Sequence, residues 1–307
     1  MNNPKPKTTF IIHGKLRNRE KIKTKIETFS KHLLDINIEF TSTSGATKPT
    51  ILAIKNEAEI IVICGGDGSI NEIVNGYFES NTTREISFGI LPMGTGNDFV
   101  KSLKTAKNIE ELLELITKNS IKEVDIFKMN FLNTNQEKTS RYFINIADIG
   151  IGGFVAQKIQ NSNKIFGSNF SYIIAVANSF LTYKKQKVKL SSNSFNWQGP
   201  VMSMCFANGK YFGSGMGIAP NATLTDQNLQ LTVLGDVSII DYIKNLGTVK
   251  KGKKIKHKEV FYETLKDCKV ESLEKPCPID MDGEFVGFTP LEIKIHNQKM
   301  KFFSFEN

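Results

Sequence analysis

Histidine, cysteine and tryptophan are scarce in this chain of 307 residues, which holds four His, four Cys and one Trp. The cysteines, at 64, 205, 268 and 277, form no Cys-x-x-Cys pair, and the histidines at 13, 32, 257 and 296 are scattered. That spacing argues against a zinc cluster. A chain this long can bury its own core, so no disulfide scaffold is needed, and scattered thiols suit a reducing cytoplasm. Long apolar runs are missing too. Phe10-Ile11-Ile12 is too short for the core of a signal peptide. The longest mostly apolar stretch, Phe170 to Leu181, is interrupted by Ser171, Asn178 and Ser179, and falls short of the roughly 20 residues of a spanning helix. Acids are outnumbered: 40 Lys and Arg against 31 Asp and Glu leave a net charge of +9. That surplus favours anionic partners such as nucleotides, nucleic acid or an acidic membrane face. Hydrophobic residues at 40% and charged residues at 23% are ordinary for a globular chain of one large or two smaller domains.

What is present falls into two regimes. Thr8 to His13 reads as a buried strand, and Ile22, Ile26, Phe29 and Leu33 recur at helical spacing. Ile36 to Thr41 alternates like a strand, and residues 45–57 suit a helix with Pro49 near its start. Glu59 to Ile63 is apolar and β-branched, and Ile70, Ile73, Val74 and Tyr77 restore the helical period. Ser87 to Leu91 is a strand ended by Pro92; Ile109, Leu112, Leu113 and Ile116 mark another helix. Apolar strands alternating with helices mean parallel βαβ units in an open sheet covered on both faces. After about residue 122 short β-rich stretches take over: Val124–Phe131, Tyr142–Ala147, Pro200–Ala207, Leu229–Leu234, Leu291–His296 and Lys301–Phe305. One helical segment, Ser168 to Tyr183, interrupts them. The expected fold is an α/β domain with a parallel sheet over 1–122, then a β-rich, sandwich-like domain over 123–296.

The sharpest local signal is a strand that ends in Gly65-Gly66-Asp67-Gly68 and passes at once into a helix through Ser69-Ile70-Asn71-Glu72. Glycines there let the backbone approach a ligand, and the amides of the following helix N-terminus can hold phosphate oxygens. Ser69 suits the N-cap or a phosphate contact, and Asp67 beside a phosphate makes sense with Mg²⁺ or a water between them. A second loop, Pro92-Met93-Gly94-Thr95-Gly96-Asn97-Asp98, also follows an apolar strand, with Asn97 or Asp98 able to cap the next helix. The plain alternative for each loop is a tight strand–helix turn. Two such loops at the strand ends of one sheet point instead to a shared nucleotide site. No Walker loop occurs.

Together these residues resemble the catalytic domain of the diacylglycerol kinase family, in particular its soluble bacterial lipid kinases. Gly65 to Glu72 meets the family's G-G-D-G-[ST]-x-N-E motif, Leu91 to Asp98 its L-P-x-G-T-x-N-D motif, and Asp282-Gly283-Glu284 its D-G-E motif. The resemblance implies an N-terminal nucleotide-binding domain, a β-rich lipid-substrate domain, and a final segment, 297–307, that returns to the first domain. It implies transfer of the ATP γ-phosphate, with Mg²⁺, to a lipid hydroxyl; family frequency favours diacylglycerol. The implied nucleotide contacts are Gly65, Gly66, Asp67, Gly68, Ser69, Ile70, Asn71 and Glu72 in the first loop, and Thr95, Gly96, Asn97 and Asp98 in the second. Gly14 and Thr41 join them, although Thr41 serves equally well as a strand-end threonine. Glu284 is the implied general base, and Asp67 is the other implied catalytic residue.

Asp282-Gly283 also suits a hairpin turn, and the alternation of Asp280, Asp282 and Glu284 would set all three on one face of an extended segment. The family's metal-bearing loop corresponds to Pro220–Leu229, implying Asp226 as a metal ligand with the carbonyls of Thr223 and Asn228. Gln227 stands where the family has glycine, so the backbone there is expected to differ. His13-Gly14-Lys15 replaces the family's Asn-Pro-x-Ser-Gly. Asn145 to Gly150 resembles an N-x-A-x-x-G segment, with Gly152 and Gly153 where an acid is expected, which counts against a sphingoid substrate.

Lys250 to Lys258 holds six lysines in nine residues, and Lys184, Lys185, Lys187 and Lys189 form a smaller cluster. An anionic bilayer attracts such clusters at about 1 kcal/mol per Lys near its surface; the alternative is a solvated face. Neither run has the aromatic interleaving of a single-strand nucleic-acid platform, so nucleic acid is not an expected partner. Two other readings remain open: an NAD kinase-like phosphotransferase, which shares the Gly-Gly-Asp-Gly loop, and an inactive nucleotide- or lipid-binding protein. The second glycine loop and Asp282–Glu284 speak against the first, and intact Asp67, Asp98 and Glu284 against the second. The expectation is a cytoplasmic, ATP- and Mg²⁺-dependent lipid kinase in peripheral contact with the membrane.

Overall fold

The computed structural model describes residues 4–42, 45–161, 179 and 181–305. Contacts divide the chain into two compact units, Met1–Asp125 with Gln298–Asn307, and Ile126–Asn297.

The first unit runs β1 (Lys7–Ile12), α1 (Arg19–Ser30), β2 (Asp35–Phe40), α2 (Thr47–Lys55), β3 (Ile60–Gly65), α3 (Asp67–Glu79), β4 (Ser87–Pro92), α4 (Asp98–Leu103), α5 (Ile109–Thr117) and β5 (Ile121–Val124). Much later in the chain β17 (Met300–Phe303) completes its sheet, in the order β2-β1-β3-β4-β17-β5. All neighbours are parallel except β17 and β5. The central strands are apolar on both faces because both are covered. Phe10, Val62 and Leu91 share one core with Ile26 of α1 and Leu112 of α5. Phe88 meets Tyr77 of α3 edge-on at 5.4 Å. Phe302 of β17 packs 5.5 Å from Phe88 and 5.5 Å from Phe99 of α4. The hydroxyls of Thr105 and Ser304 donate to Phe303 O and Leu103 O, both at 2.6 Å, and fix the returning strand.

The second unit runs β6 (Phe127–Leu132), β7 (Lys138–Phe143), β8 (Ile146–Gly150), α6 (Ile151–Asn161), β9 (Gln186–Ser191), β10 (Asn196–Val201), β11 (Ser203–Ala207), β12 (Leu229–Leu234), α7 (Ile239–Lys250), β13 (Val260–Leu265), β14 (Asp267–Ser272), β15 (Pro278–Met281) and β16 (Glu284–Ile295). Its pairings are antiparallel, and the 12-residue β16 is the spine. The start of β16 pairs with β15, its end with β14, and its other edge with β6. One strand thus joins β10-β9-β14 and β6-β7 to β15-β8-β11-β12-β13. Phe127, Phe143, Leu190, Phe206, Leu231 and Ile293 fill the core between these strands. The expected α/β domain followed by a β-rich domain is the fold observed.

Several boundaries differ from the sequence reading. Val124–Phe131 is two strands broken at Asp125-Ile126. Tyr142–Ala147 spans the end of β7 and the start of β8, and Pro200–Ala207 the end of β10 and all of β11. The reason is that the corner residues Ile126, Ile144 and Met202 are themselves buried, so hydrophobicity runs unbroken through each bend. The Lys184–Lys189 cluster leads into β9 rather than closing a helix. Most of the expected Ser168–Tyr183 helix lies outside the described residues.

Phe302→Ala removes the ring shared by β4, β17 and α4. The expected loss is about 3–5 kcal/mol, read from urea denaturation; a change below about 1 kcal/mol would show that β17 adds nothing to this core.

Candidate active site

In the first unit the two glycine loops meet backbone to backbone. A Cβ on Gly66 would lie 2.9 Å from Gly94 Cα, and one on Gly94 would lie 2.6 Å from Gly66 Cα. Gly65 O accepts from Met93 N at 2.8 Å, and a Cβ on Gly65 would strike Ser69 Oγ at 2.3 Å. Side chains are excluded at all three positions by contact. The helix α3 that follows starts at Asp67, with Gly66 at its N-cap and no side chain capping it. Ser69 therefore sits inside the first turn and is not the N-cap. An uncapped N-terminus leaves first-turn amides and the positive end of the helix dipole for an anion.

Asp67 reaches across to the second loop. Its Oδ2 accepts from Asp98 N at 3.1 Å and its Oδ1 from Phe99 N at 3.0 Å. Asp67 thus caps α4, the task the sequence assigned to Asn97 or Asp98. Asn97 does occupy the N-cap position of α4, in left-handed backbone at φ 49, but its side chain is turned back: Gly94 N donates to Asn97 Oδ1 at 3.1 Å and Asn97 Nδ2 donates to Gly94 O at 2.8 Å. Asp98 is buried and takes an ion pair from Lys101 at 2.9 Å. A Cβ at Gly96 would lie 3.2 Å from Asp67 Oδ2 and 3.6 Å from Asp98 Oδ2, so the two carboxylates converge beneath it. Thr95 is exposed at the loop tip. A cleft of about 810 Å³ opens beside Thr95, Gly96 and Asn97, with Lys101, Lys104 and Lys107 along it.

The remaining motif residues build the cradle. Ile70 and Asn71 are buried, and Ile70 N is spent on Gly66 O. Glu72 Oε2 accepts from Ala46 N at 2.7 Å, and Gly45, at φ 95, leaves room for that carboxylate. Gly14 N donates to Thr41 Oγ1 at 3.0 Å, and a Cβ at Gly14 would overlap Thr41 O. Gly14 and Thr41 are therefore together, as a strand-end pair. Asp125, buried, is paired with Lys299 at 3.0 Å; the sequence reading passed over it.

In the second unit Asp282 and Gly283 form the two-residue turn of a hairpin, at φ 50 and 91, with Met281 opposite Glu284. The turn breaks the alternation, so Asp280, Asp282 and Glu284 do not share one extended face. Asp282 is buried and accepts from the amides of Ile144, Asn145 and Ile146 at 2.9–3.1 Å. Asp280 accepts from Gly283 N at 2.8 Å. Glu284 is half-exposed and bonded to Arg141 Nη2 through Oε2 at 2.9 Å. Arg141, in the middle of β7, left no motif by which the sequence could reveal it.

Asp148 lies opposite Asp280 on β8 and is fully buried. Ser203 Oγ donates to it at 2.5 Å, Cys205 Sγ at 3.2 Å and Gly153 N at 3.1 Å. Burial pushes its carboxyl up to about 6, against the pull of those donors, and pushes Asp280 well above the usual carboxylate range. A Cβ on Gly152 would strike Asp148 Oδ1 at 2.2 Å. The glycine where the family places an acid is thus required by the Asp148 cap on α6.

The Pro220–Leu229 loop holds a different balance. Gln227 takes φ 57, the left-handed backbone a glycine would use, so the expected change of conformation does not occur. Asp226 Oδ1 accepts from Asn228 N at 3.0 Å, and Lys266 Nζ donates to Gln227 O at 3.0 Å. Asp226 is the loop's one carboxylate, Thr223 and Asn228 add only carbonyls, and an ammonium already sits on the adjoining carbonyl. This donor set does not fit a divalent cation. Among the described residues no cluster of three or more His, Cys, Asp or Glu could hold a metal.

The first unit is thus a doubly covered, mainly parallel sheet with paired glycine loops, and the second a β-rich unit with Glu284 just beyond a hairpin turn. The Diacylglycerol kinase catalytic domain family matches residues 7–129, and the YegS C-terminal NAD kinase beta sandwich-like domain family matches residues 146–304. The chain belongs, through its second unit, to the YegS C-terminal domain family, and it carries a diacylglycerol kinase catalytic domain ahead of it. It is 29% identical over 254 residues to a diacylglycerol kinase of Staphylococcus carnosus, covering 82% of this chain and 79% of that protein. A diacylglycerol kinase structure from Bacillus anthracis superposes with a TM-score of 0.71 at 22% identity, covering 99% of this chain and 98% of that one. Yeast NADH kinase superposes at 0.58 and 9% identity, covering 99% of this chain and 84% of that one. At these identities the superpositions speak for the fold.

Asp67→Ala leaves two α4 amides without acceptors; the expected cost is about 1–2 kcal/mol, read from the urea midpoint, and an unchanged midpoint would remove the capping role. For Asp148 the folded state holds the proton more tightly than the unfolded chain, with its value raised from 3.8 to about 6. Stability present below about pH 4 is therefore lost as pH rises through about 6. Asp148→Asn does not titrate, so thermal melts should shift in the variant's favour, relative to wild type, across that window. Parallel curves would contradict the buried-acid assignment.

Proposed function

We propose that the protein transfers the γ-phosphate of ATP to a lipid hydroxyl, with diacylglycerol the first acceptor to test and phosphatidic acid its product. The observation that supports this most is the backbone contact of Gly66 with Gly94 at the open N-terminus of α3, in a chain of this kinase family. First-turn amides of α3 and the exposed Thr95 hydroxyl bind phosphate oxygens. Asp67 and Asp98, converging under Gly96, fit a magnesium ion that arrives with the nucleotide. Bound there, such an ion would supply positive charge against the nucleotide's phosphates.

Glu284 accepts the proton of the lipid hydroxyl. The lipid oxygen bonds to the γ-phosphorus as the bond to the β-phosphate oxygen breaks and ADP leaves. Arg141 positions the carboxylate by holding Oε2, which leaves Oε1 for the proton. The enzyme works in the cytoplasm at a membrane surface, with Lys250–Lys258 toward anionic lipid. A second reading, phosphorylation of a nicotinamide dinucleotide, draws support from the NAD kinase-like family of the second unit.

The test is transfer of labelled γ-phosphate from ATP with Mg²⁺ to lipid alcohols in mixed micelles, with NAD in parallel. Label in an organic-extractable product supports the proposal. Label on NAD alone replaces it with the second reading, and label on neither, with ATP bound, points to a binding protein. Glu284→Gln should lower turnover by about 100-fold or more with ATP affinity unchanged, and Arg141→Ala should lower it less. Normal turnover in the glutamine variant would remove Glu284 as the base.

A further inference from the structure

An uncovered apolar stripe lies on the outer side of α7. Ile239, Tyr242 and Val249 turn inward to a buried cluster, so the helical period brings Ile240, Ile243, Lys244, Gly247 and Lys250 outward, and all five are exposed. Ile240 is 65% exposed and Ile243 56%. The helix's one acid, Asp241, lies on the flank and takes the Ser238 hydroxyl at 2.6 Å. The chain then passes straight into the lysine run, whose six lysines are all exposed. The run is nevertheless held: Ile255 is buried in the same cluster, its N–H donates to Tyr262 Oη at 2.9 Å, and Lys254 lies over the Tyr262 ring at 5.3 Å. Among the described residues no carboxylate pairs with Lys244, Lys250, Lys251, Lys253, Lys254 or Lys256. Lys185, bonded to Asp236 just before α7, adds exposed Leu181 and Lys184 to the adjoining surface.

Two branched aliphatic side chains in water, beside a row of lysines with no carboxylate partner, match one surface chemistry closely. Apolar groups leave water at the acyl boundary of a bilayer, and lysines lie over anionic head groups. We propose that α7 and the Lys250–Lys258 loop form the surface by which the protein lies on an anionic membrane, with Ile240 and Ile243 entering the lipid. The inference deepens the lipid-kinase reading and rests on it for the reason the protein visits a bilayer. The lysines supply long-range attraction that salt weakens, and the isoleucines supply contact that salt does not.

The test is co-sedimentation with phosphatidylcholine vesicles, with and without phosphatidylglycerol, over a salt series. Wild type should bind the anionic vesicles. Ile240→Asp with Ile243→Asp should bind at least tenfold more weakly at every salt concentration, with an unchanged melting temperature because both positions are exposed. Lys251→Ser, Lys253→Ser, Lys254→Ser and Lys256→Ser together should flatten the salt dependence. Ile243→Trp should blue-shift its emission on vesicles and be quenched by brominated acyl chains. Binding without that shift, or wild-type binding by the double aspartate variant, overturns the proposal. So does the aspartate pair turning an oligomer into a monomer in light scattering while vesicle binding persists; the stripe is then an interface between copies. Catalysis separates the two readings. A variant that phosphorylates lipid in mixed micelles but not in vesicles supports docking. Equal activity in both sinks docking and leaves the kinase reading standing. Vesicle binding through the isoleucines with no lipid phosphorylated in either medium sinks the kinase reading and leaves docking standing.

Discussion

The close approach of two peptide backbones, at Gly66 and Gly94, is the constraint on which the rest of the first unit's site depends. No Cβ fits at either position, so the loops after β3 and β4 can touch only as glycine. Once they touch, Asp67 is within reach of the amides that open α4, and the start of one helix is tied to the start of another. Glu72, one turn further along α3, reaches the other way and seats Ala46. A short segment of α3 therefore braces two other loops, and its own uncapped first turn leaves amide N–H groups. This explains why so many residues of the first glycine motif never face solvent.

The second unit divides its own motif in a similar way. Asp282 spends both oxygens on three backbone amides and fixes the bend between β7 and β8, while Glu284, beyond the turn, keeps a half-exposed carboxylate against Arg141. The buried acids Asp148 and Asp280 serve backbone amides as well. Burial raises both carboxyls, and the nearness of Asp148 adds to the rise at Asp280.

The alternation of strands and helices in the first unit was legible because both sheet faces are covered: Ile60 to Cys64 and Phe88 to Leu91 carry apolar residues without a gap, and α5 repeats Leu112 and Leu115 at helical spacing. The corners of the second unit were not legible, since Ile126, Ile144 and Met202 are as buried as the strands they separate. At the site, the glycine loops and the Asp-Gly turn were visible as patterns of residue types. Who bonds to whom was not. Asp67 caps a helix thirty-one residues away, and Arg141 meets Glu284 across 143 residues; neither partnership leaves a local trace. Gln227 shows the opposite case, where an unsuitable residue adopts the backbone of the glycine it replaces because the loop around it demands that shape.

The insertion of β17 between β4 and β5 has a consequence for the order of events during synthesis. Within its sheet β5 pairs with β17 alone, and β17 is made some 170 residues later. While the ribosome produces the whole second unit, the first must wait with an open edge at β4 and with β5 unpaired, its Phe88 and Phe99 rings lacking the Phe302 they pack on. Long-range closure of this kind is slow and exposes strand edges. The nascent chain thus passes through an extended interval in which the two glycine loops can already form but the sheet beneath them is one strand short.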